Sequence, residues 1–170
     1  MRNSLYNLML RRRSIRKFKP NQVNEEDIKY LLEVAMSAPS ACNKQPWEFY
    51  VITNETLLKE LTNVSRYTKI DAPLAIVVCG NLQRSLSRKD NDYWIQDCSA
   101  AIENILIGCT ALGLGSLWCG AYPQKSVVKN VKELLRLDDD VIPLGLIYIG
   151  YPDEDKAPRT QYDEKYIHRL

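Results

Sequence analysis

WIQDCSAAIENILIGCTALGLGSLWCG, residues Trp94 to Gly120, decides how the chain is built. Ile95, Cys98, Ile102, Ile105, Leu106, Cys109 and Leu112 recur at helical spacing and form one broad apolar face. Ala100, Ala101, Gly108 and Ala111 are small, which permits close packing against this helix. Gly113 and Gly115 end it, and Ser116 to Cys119 reads as a short strand or extended turn. The glycines are spaced GxGxxxxG and follow a helix rather than opening one, so they are not the dinucleotide fingerprint. Taken alone, the stretch is a helix cap leading into a core strand.

Outward from this helix, Ser4 to Leu10 predicts a short N-terminal helix. Asn24 is an N-cap, with Glu25, Glu26 and Asp27 in the first turn, where the helix dipole favours acids. Ile28, Leu31, Leu32 and Ala35 carry that helix to about Ser37, and Pro39 closes it. Trp47 to Thr53 reads as a strand and Glu55 to Val64 as a short helix. Pro73 to Gly80 is a continuous apolar run, which implies a strand buried on both faces. Leu82 to Asp92 is a polar loop or short helix, Gln124 to Leu135 a helix, and Pro143 to Gly150 a strand. The tail, residues 151–170, is polar and extended, and is expected to pack on something such as a partner subunit. Helices and strands mix without a βαβ rhythm, so the fold class is α+β: a small mixed or antiparallel sheet flanked by helices around a long central one.

At 170 residues one domain, 1–170, is expected. A net charge of +2 gives no overall basic balance for a nucleic-acid partner. No apolar run reaches the roughly 18 residues of a membrane span, and the N-terminus meets arginines too early for a secretory signal. A cytoplasmic protein is expected. The five cysteines are odd in number and lack CxxC spacing, which argues against a disulfide framework or a zinc site. Cys79, Cys98 and Cys109 read as small core residues. His168 is the single histidine, which all but excludes histidine-based hydrolysis and multi-histidine metal sites.

Two further stretches carry polar chemistry. RRRSIRKF, Arg11 to Phe18, puts five cations into eight residues. Arg12, Ser14 and Arg16 alternate, so in an extended chain they turn to one side, a hydroxyl between two guanidiniums. Guanidinium forks match phosphate oxygens, of one small phosphate or, as the alternative, of a nucleic acid held by a basic-patch module, although by itself the run reads first as a solvated face. PSACNKQPW, Pro39 to Trp47, joins a helix to a strand and offers Ser, Asn and Gln groups that can read the heteroatom edge of a ring. By composition it is also an ordinary turn.

In this order, RRSIRKF, PSxxNxQPWxF, ALGLGSLW, GYPxE and a Pro-Arg in the tail resemble the nitroreductase family of FMN-dependent oxidoreductases over essentially the whole chain. The resemblance implies an intertwined homodimer with two FMN molecules at the subunit interface, each touched by both chains. It implies a ping-pong cycle from NADH or NADPH through FMN to a small electron-poor acceptor, nitroaromatic or quinone. Arg12 and Ser14 would hold the phosphate and ribityl chain, with Arg13 assisting and Arg159 reaching the phosphate. Arg16 would face the pyrimidine edge. Pro39, Ser40, Ala41, Asn43 and Gln45 would line the flavin, some from the other subunit. Leu117, Trp118, Cys119 and Gly120 would lie along the ring, a backbone N–H near N5. No side-chain acid or base is required of such an enzyme, and no membrane or nucleic acid. Position 41 is Ala where the family often has a second Ser; a backbone contact survives that change. The short segment between Asn81 and Tyr93 leaves little room for extra helices, which implies an open pocket.

Overall fold

Apolar spacing sets where the elements lie. The computed structural model describes residues 2–86 and 92–170. In chain order it holds α1 (Arg2–Arg11), α2 (Glu25–Met36), a 3-10 turn (Ala41–Asn43), β1 (Trp47–Ile52) and α3 (Glu55–Leu61). β2 (Leu74–Asn81), α4 (Tyr93–Ala111), β3 (Gly115–Gly120), α5 (Lys125–Leu135), β4 (Val141–Gly150) and a second 3-10 turn (Glu164–Tyr166) follow. Residues 87–91 lie outside the described part, and with them the test of an open pocket beside Asn81 to Tyr93.

The four strands make one antiparallel sheet, ordered β1-β2-β4-β3. This is the α+β architecture that the missing βαβ rhythm implies. Leu74, Ile76 and Val78 of β2 and Ile147 and Ile149 of β4 join Leu31 and Ala35 of α2 and Ile102 and Ile105 of α4 in one core. The alternate residues, Ala75, Val77, Leu146 and Tyr148, join Leu58 and Leu61 of α3 and Val127 and Val131 of α5 in a second. Period-two alternation thus feeds both layers, which is why β2 is apolar at successive positions. Truncating a fully buried residue such as Leu31 to Ala would cost about 2–5 kcal/mol.

Local signals end the helices. Asn24 caps α2 by accepting the Asp27 N–H at 2.7 Å. α4 stops at Ala111, and Gly113 turns the chain with φ +72°. The apolar face of α4 differs in detail from its sequence pattern. Trp94 and Asp97 are buried in it, while Ile95 and Leu112 are only partly covered. Trp94 lies across Gly80 and meets the Tyr122 ring edge-on, centroids 5.0 Å apart.

The outer edge of β3 is covered, as exposed edges must be. Ser14 forms a parallel bridge with Ser116, and the Ile15 N–H donates to Ser116 O at 2.9 Å. The tail covers the far side. Lys19 N–H donates to Tyr151 O at 2.8 Å, Asp153 N–H to Lys17 O at 2.9 Å, and Arg159 N–H to Leu10 O at 3.0 Å. Residues 151–159 therefore pack on the chain's own N-terminal segment. Tyr162, Tyr166 and Ile167 beyond them are exposed. Among the described residues no helix is long and apolar enough to cross a membrane.

Candidate functional site

Arg11 ends α1 and the Arg12 N–H still bonds Leu8 O at 3.2 Å; beyond them the basic run is extended, its backbone bonded along both sides. Ile15 is buried, and it packs so closely on Gly115 that a Cβ there would come within 2.9 Å of it. Ser14 and Arg16, by alternation, take the opposite face from Ile15. Two charges on this segment have partners within the chain, and a third residue is held by its backbone. Arg12 Nε lies 3.6 Å from Glu103 Oε1 on α4. Arg13 donates to the Ala157 carbonyl of the tail. Arg16 donates its backbone N–H to Glu154 Oε1 at 2.5 Å, and its side chain is exposed. Arg159 is anchored beside α1 through its N–H and donates to Gln161 Oε1 at 3.2 Å.

β3 splits its four candidate residues by alternation. Leu117 and Cys119 turn into the α3/α5 core, while Trp118 and Gly120 are exposed on the other face. Only the backbone of Leu117 and Cys119 is available to a ligand on that exposed face. Trp118 packs against β4 at Gly145, where a Cβ would come within 2.8 Å of its Cδ1. Cys119 Sγ donates to Tyr67 O at 3.2 Å. Burial pushes its thiol up to about 11, partly offset by the Arg16 charge, so it is no nucleophile at neutral pH. Burial likewise holds Cys98 and Cys109 up to about 12.

The Pro39–Gln45 loop sits at the β1 end of the sheet. β1 and β3 are its two edges, so within one chain three strand spacings, roughly 14 Å, separate the loop from β3. The structure thus sets Ser14 against the start of β3, the strand that carries Leu117 to Gly120, with Arg12, Arg13 and Arg16 on the same segment and Arg159 bonded at Leu10 of α1, and leaves Pro39, Ser40, Ala41, Asn43 and Gln45 at the other edge of the sheet. The loop is tightly wound. Cys42, Asn43 and Gln45 all have left-handed backbones, φ 49°, 52° and 49°. Ser40 Oγ accepts the Gln45 N–H at 2.9 Å. Ala41 donates its N–H to Asp97 Oδ1 of α4 at 2.8 Å, so that donor is spent within the protein. Asp97 is only 4% exposed, and its Oδ2 has no partner among the described residues. Burial raises its pKa against the lowering effect of the Ala41 N–H. Strain of this kind, of order 1 kcal/mol per left-handed residue, persists only where surroundings enforce it.

Two clefts on the described surface lie elsewhere. One of about 510 Å³ runs between Phe18, Pro20, Leu58 and Ile70; another of about 630 Å³ flanks α5. None of the candidate residues lines either.

Comparison with known proteins bears on this arrangement. The model of the nitroreductase family matches residues 9–68 and 59–151. The chain belongs to the nitroreductase family. A relative from Archaeoglobus fulgidus, provisionally named an NADH dehydrogenase/NAD(P)H nitroreductase, is 40% identical over 93% of this chain and 92% of its own. A solved structure of the same provisional name from Bacteroides thetaiotaomicron superposes with a TM-score of 0.92 at 36% identity, covering 98% of this chain and 97% of that one. An FMN-dependent nitroreductase from Clostridium difficile superposes with a TM-score of 0.84 at 30% identity, over 96% and 98% of the two chains.

For a nitroreductase-family chain, sequence reasoning passed over two groups that the structure brings forward. Glu154 stands in the quoted GYPxE motif without a role, yet it and Lys156 bond the basic segment. Asp97 interrupts an apolar helix face between Trp94 and Ala101, a signal that a buried carboxyl has a partner to serve.

Proposed function

We propose that this nitroreductase-family chain is an FMN-dependent NAD(P)H oxidoreductase. It passes reducing equivalents to a small electron-poor acceptor, nitroaromatic or quinone, with donor and acceptor binding in turn. The observation that carries the reading is the docking of Ser14–Arg16 between Ser116, near the start of β3, and the tail, with Gly120 exposed at the far end of the same strand. That donor set fits FMN: guanidiniums and a hydroxyl for a phosphate, and at Gly120 no atom within 4 Å of where a Cβ would stand, so a flat ring can approach the backbone. FMN, when bound, supplies a carrier that accepts hydride at N5 and releases electrons to the acceptor.

Arg12 and Ser14 hold the phosphate and ribityl chain in this reading, with Arg13 and Arg159 close by. Arg16 places a fixed cation at the pyrimidine edge, where reduction adds negative charge, and so raises the reduction potential. Trp118 forms a wall, and a backbone N–H of β3 orients N5. The loop Pro39–Gln45 serves the flavin held chiefly by a second copy of the chain, because its own β3 lies three strands away. A homodimer also gives cover to Leu5, Tyr6 and Met9 on α1 and to Tyr162, Tyr166 and Ile167 in the tail, all exposed here.

The purified protein tests this directly. It should be yellow, or become so with added FMN, and NADH or NADPH should bleach it without oxygen. A preparation that takes up no FMN ends the flavin reading; uptake without bleaching by either nicotinamide leaves a carrier rather than an enzyme. A flavin-loaded monomer in gel filtration removes the dimer.

A further inference from the structure

An extended segment at a sheet edge needs partners on both sides. On the β3 side the Ser14–Arg16 segment has one in Ser116. On the other side its outward groups include the Ser14 carbonyl and the Arg16 N–H, the pair a parallel neighbouring strand would bond. No strand is there. Lys156 Nζ donates to Ser14 O at 2.6 Å, and Glu154 Oε1 accepts the Arg16 N–H at 2.5 Å. The two side chains are joined to each other, Nζ to Oε1, at 3.1 Å. Both are only about a fifth exposed, 21% for Glu154 and 23% for Lys156.

We propose that Glu154 and Lys156 form a side-chain clamp that stands in for a missing strand and positions Ser14 and Arg16 for the flavin. The inference rests on the flavin reading above. Its polarity is what matters. A carboxylate accepts and an ammonium donates, so each group fits one of the two backbone sites and not the other. A surface ion pair alone would contribute little, but these two charges also bond backbone in charge-assisted fashion. Glu154 and Lys156 touch no reacting atom; they act through the backbone that presents Ser14 and Arg16.

The test separates geometry from charge. Glu154→Ala should weaken FMN binding about tenfold, the value of one charge-assisted hydrogen bond. Glu154→Gln keeps the acceptor and should stay within about threefold of the native protein. The double swap Glu154→Lys with Lys156→Glu keeps the ion pair but reverses donor and acceptor. It should bind FMN no better than Glu154→Ala. Exchange of the Arg16 amide hydrogen, measured without flavin, should speed up about tenfold in Glu154→Ala and not in Glu154→Gln. If the swap restores affinity, or Glu154→Gln loses as much as Glu154→Ala, charge and not a directional clamp is responsible. Native FMN affinity in Glu154→Ala also overturns the proposal. If the native protein takes up no FMN, the flavin reading falls, and amide exchange still decides whether the clamp exists.

Discussion

Arg12–Phe18 and Pro39–Gln45 are irregular segments at the two ends of the strand order, and they are held by opposite means. The first is bonded along both sides, partly by paired charges near solvent. The second hangs from α4 by one bond to a lone carboxyl in the core, and its own backbone is left-handed at three non-glycine residues. Each depends on a carboxyl, and the two are shifted in opposite directions. The Arg16 N–H, aided by Lys156, holds Glu154 below the ordinary carboxylate range. Burial holds Asp97 above it. The basic segment is thus a frame that acid loosens, whereas the loop is a strained element whose anchor burial drives toward the neutral form, against the pull of its own Ala41 hydrogen bond.

If the frame carries the flavin's charge and the loop only lines it, single substitutions should differ sharply. Arg16→Ala should weaken FMN binding about a hundredfold and lower the potential of whatever flavin remains. Asn43→Ala should cost less than about tenfold. Equal losses, or an unchanged potential in Arg16→Ala, would erase the distinction. Gly115→Ala comes next. Its methyl would meet Ile15 at 2.9 Å and push the basic segment off β3. Overpacking of this kind costs about 1–3 kcal/mol, which should appear as a lower Tm together with faster exchange of the Ile15 amide. A Tm that falls while that amide stays protected would mean the strain is taken up elsewhere.

Periodicity made the frame's surroundings readable. The α4 stripe, the Asn24 cap and the two-sided burial of β2 each follow from neighbours within a few residues. The alternation of Ser14 and Arg16 was legible for the same reason, whereas Arg12, whose N–H still bonds Leu8 at the end of α1, falls outside the extended run. The clamp was not. Glu154 and Arg16 are 138 residues apart and meet through a side chain and a backbone group, which no local pattern encodes. The loop was half legible. Asn43 is a residue type that tolerates left-handed backbone, but Cys42 and Gln45 are not, and only the surrounding contacts impose that geometry on them. Asp97 left a trace as a carboxylate on an apolar face, without naming Ala41 as its partner. The divided placement of the candidate residues was open to the family resemblance alone, since no spacing in one chain says which edge of a sheet a loop will occupy.

The smallest effect concerns the loop's anchor. Asp97 is neutral in the folded chain at pH values where an unfolded aspartate is charged. An acid whose pKa is raised on folding binds its proton more tightly in the native state. Its neutral form leaves stability untouched below the unfolded pKa, and stability is lost as the pH rises from there to the folded pKa. Above that the cost is constant. Asp97→Asn keeps an oxygen for the Ala41 N–H and removes the titration, at nearly the same volume. It should match the native Tm in acid and exceed it increasingly as the pH rises through that window, scanned from about pH 4 to 8. The Pro39–Gln45 loop should keep its amide protection throughout. Parallel Tm curves for the two proteins would show that Asp97 does not change its proton affinity on folding. A loop that loses protection in Asp97→Asn would show that the charge, not the oxygen, holds Ala41. In either case the contrast between a neutral anchor and a charged clamp would have to be given up.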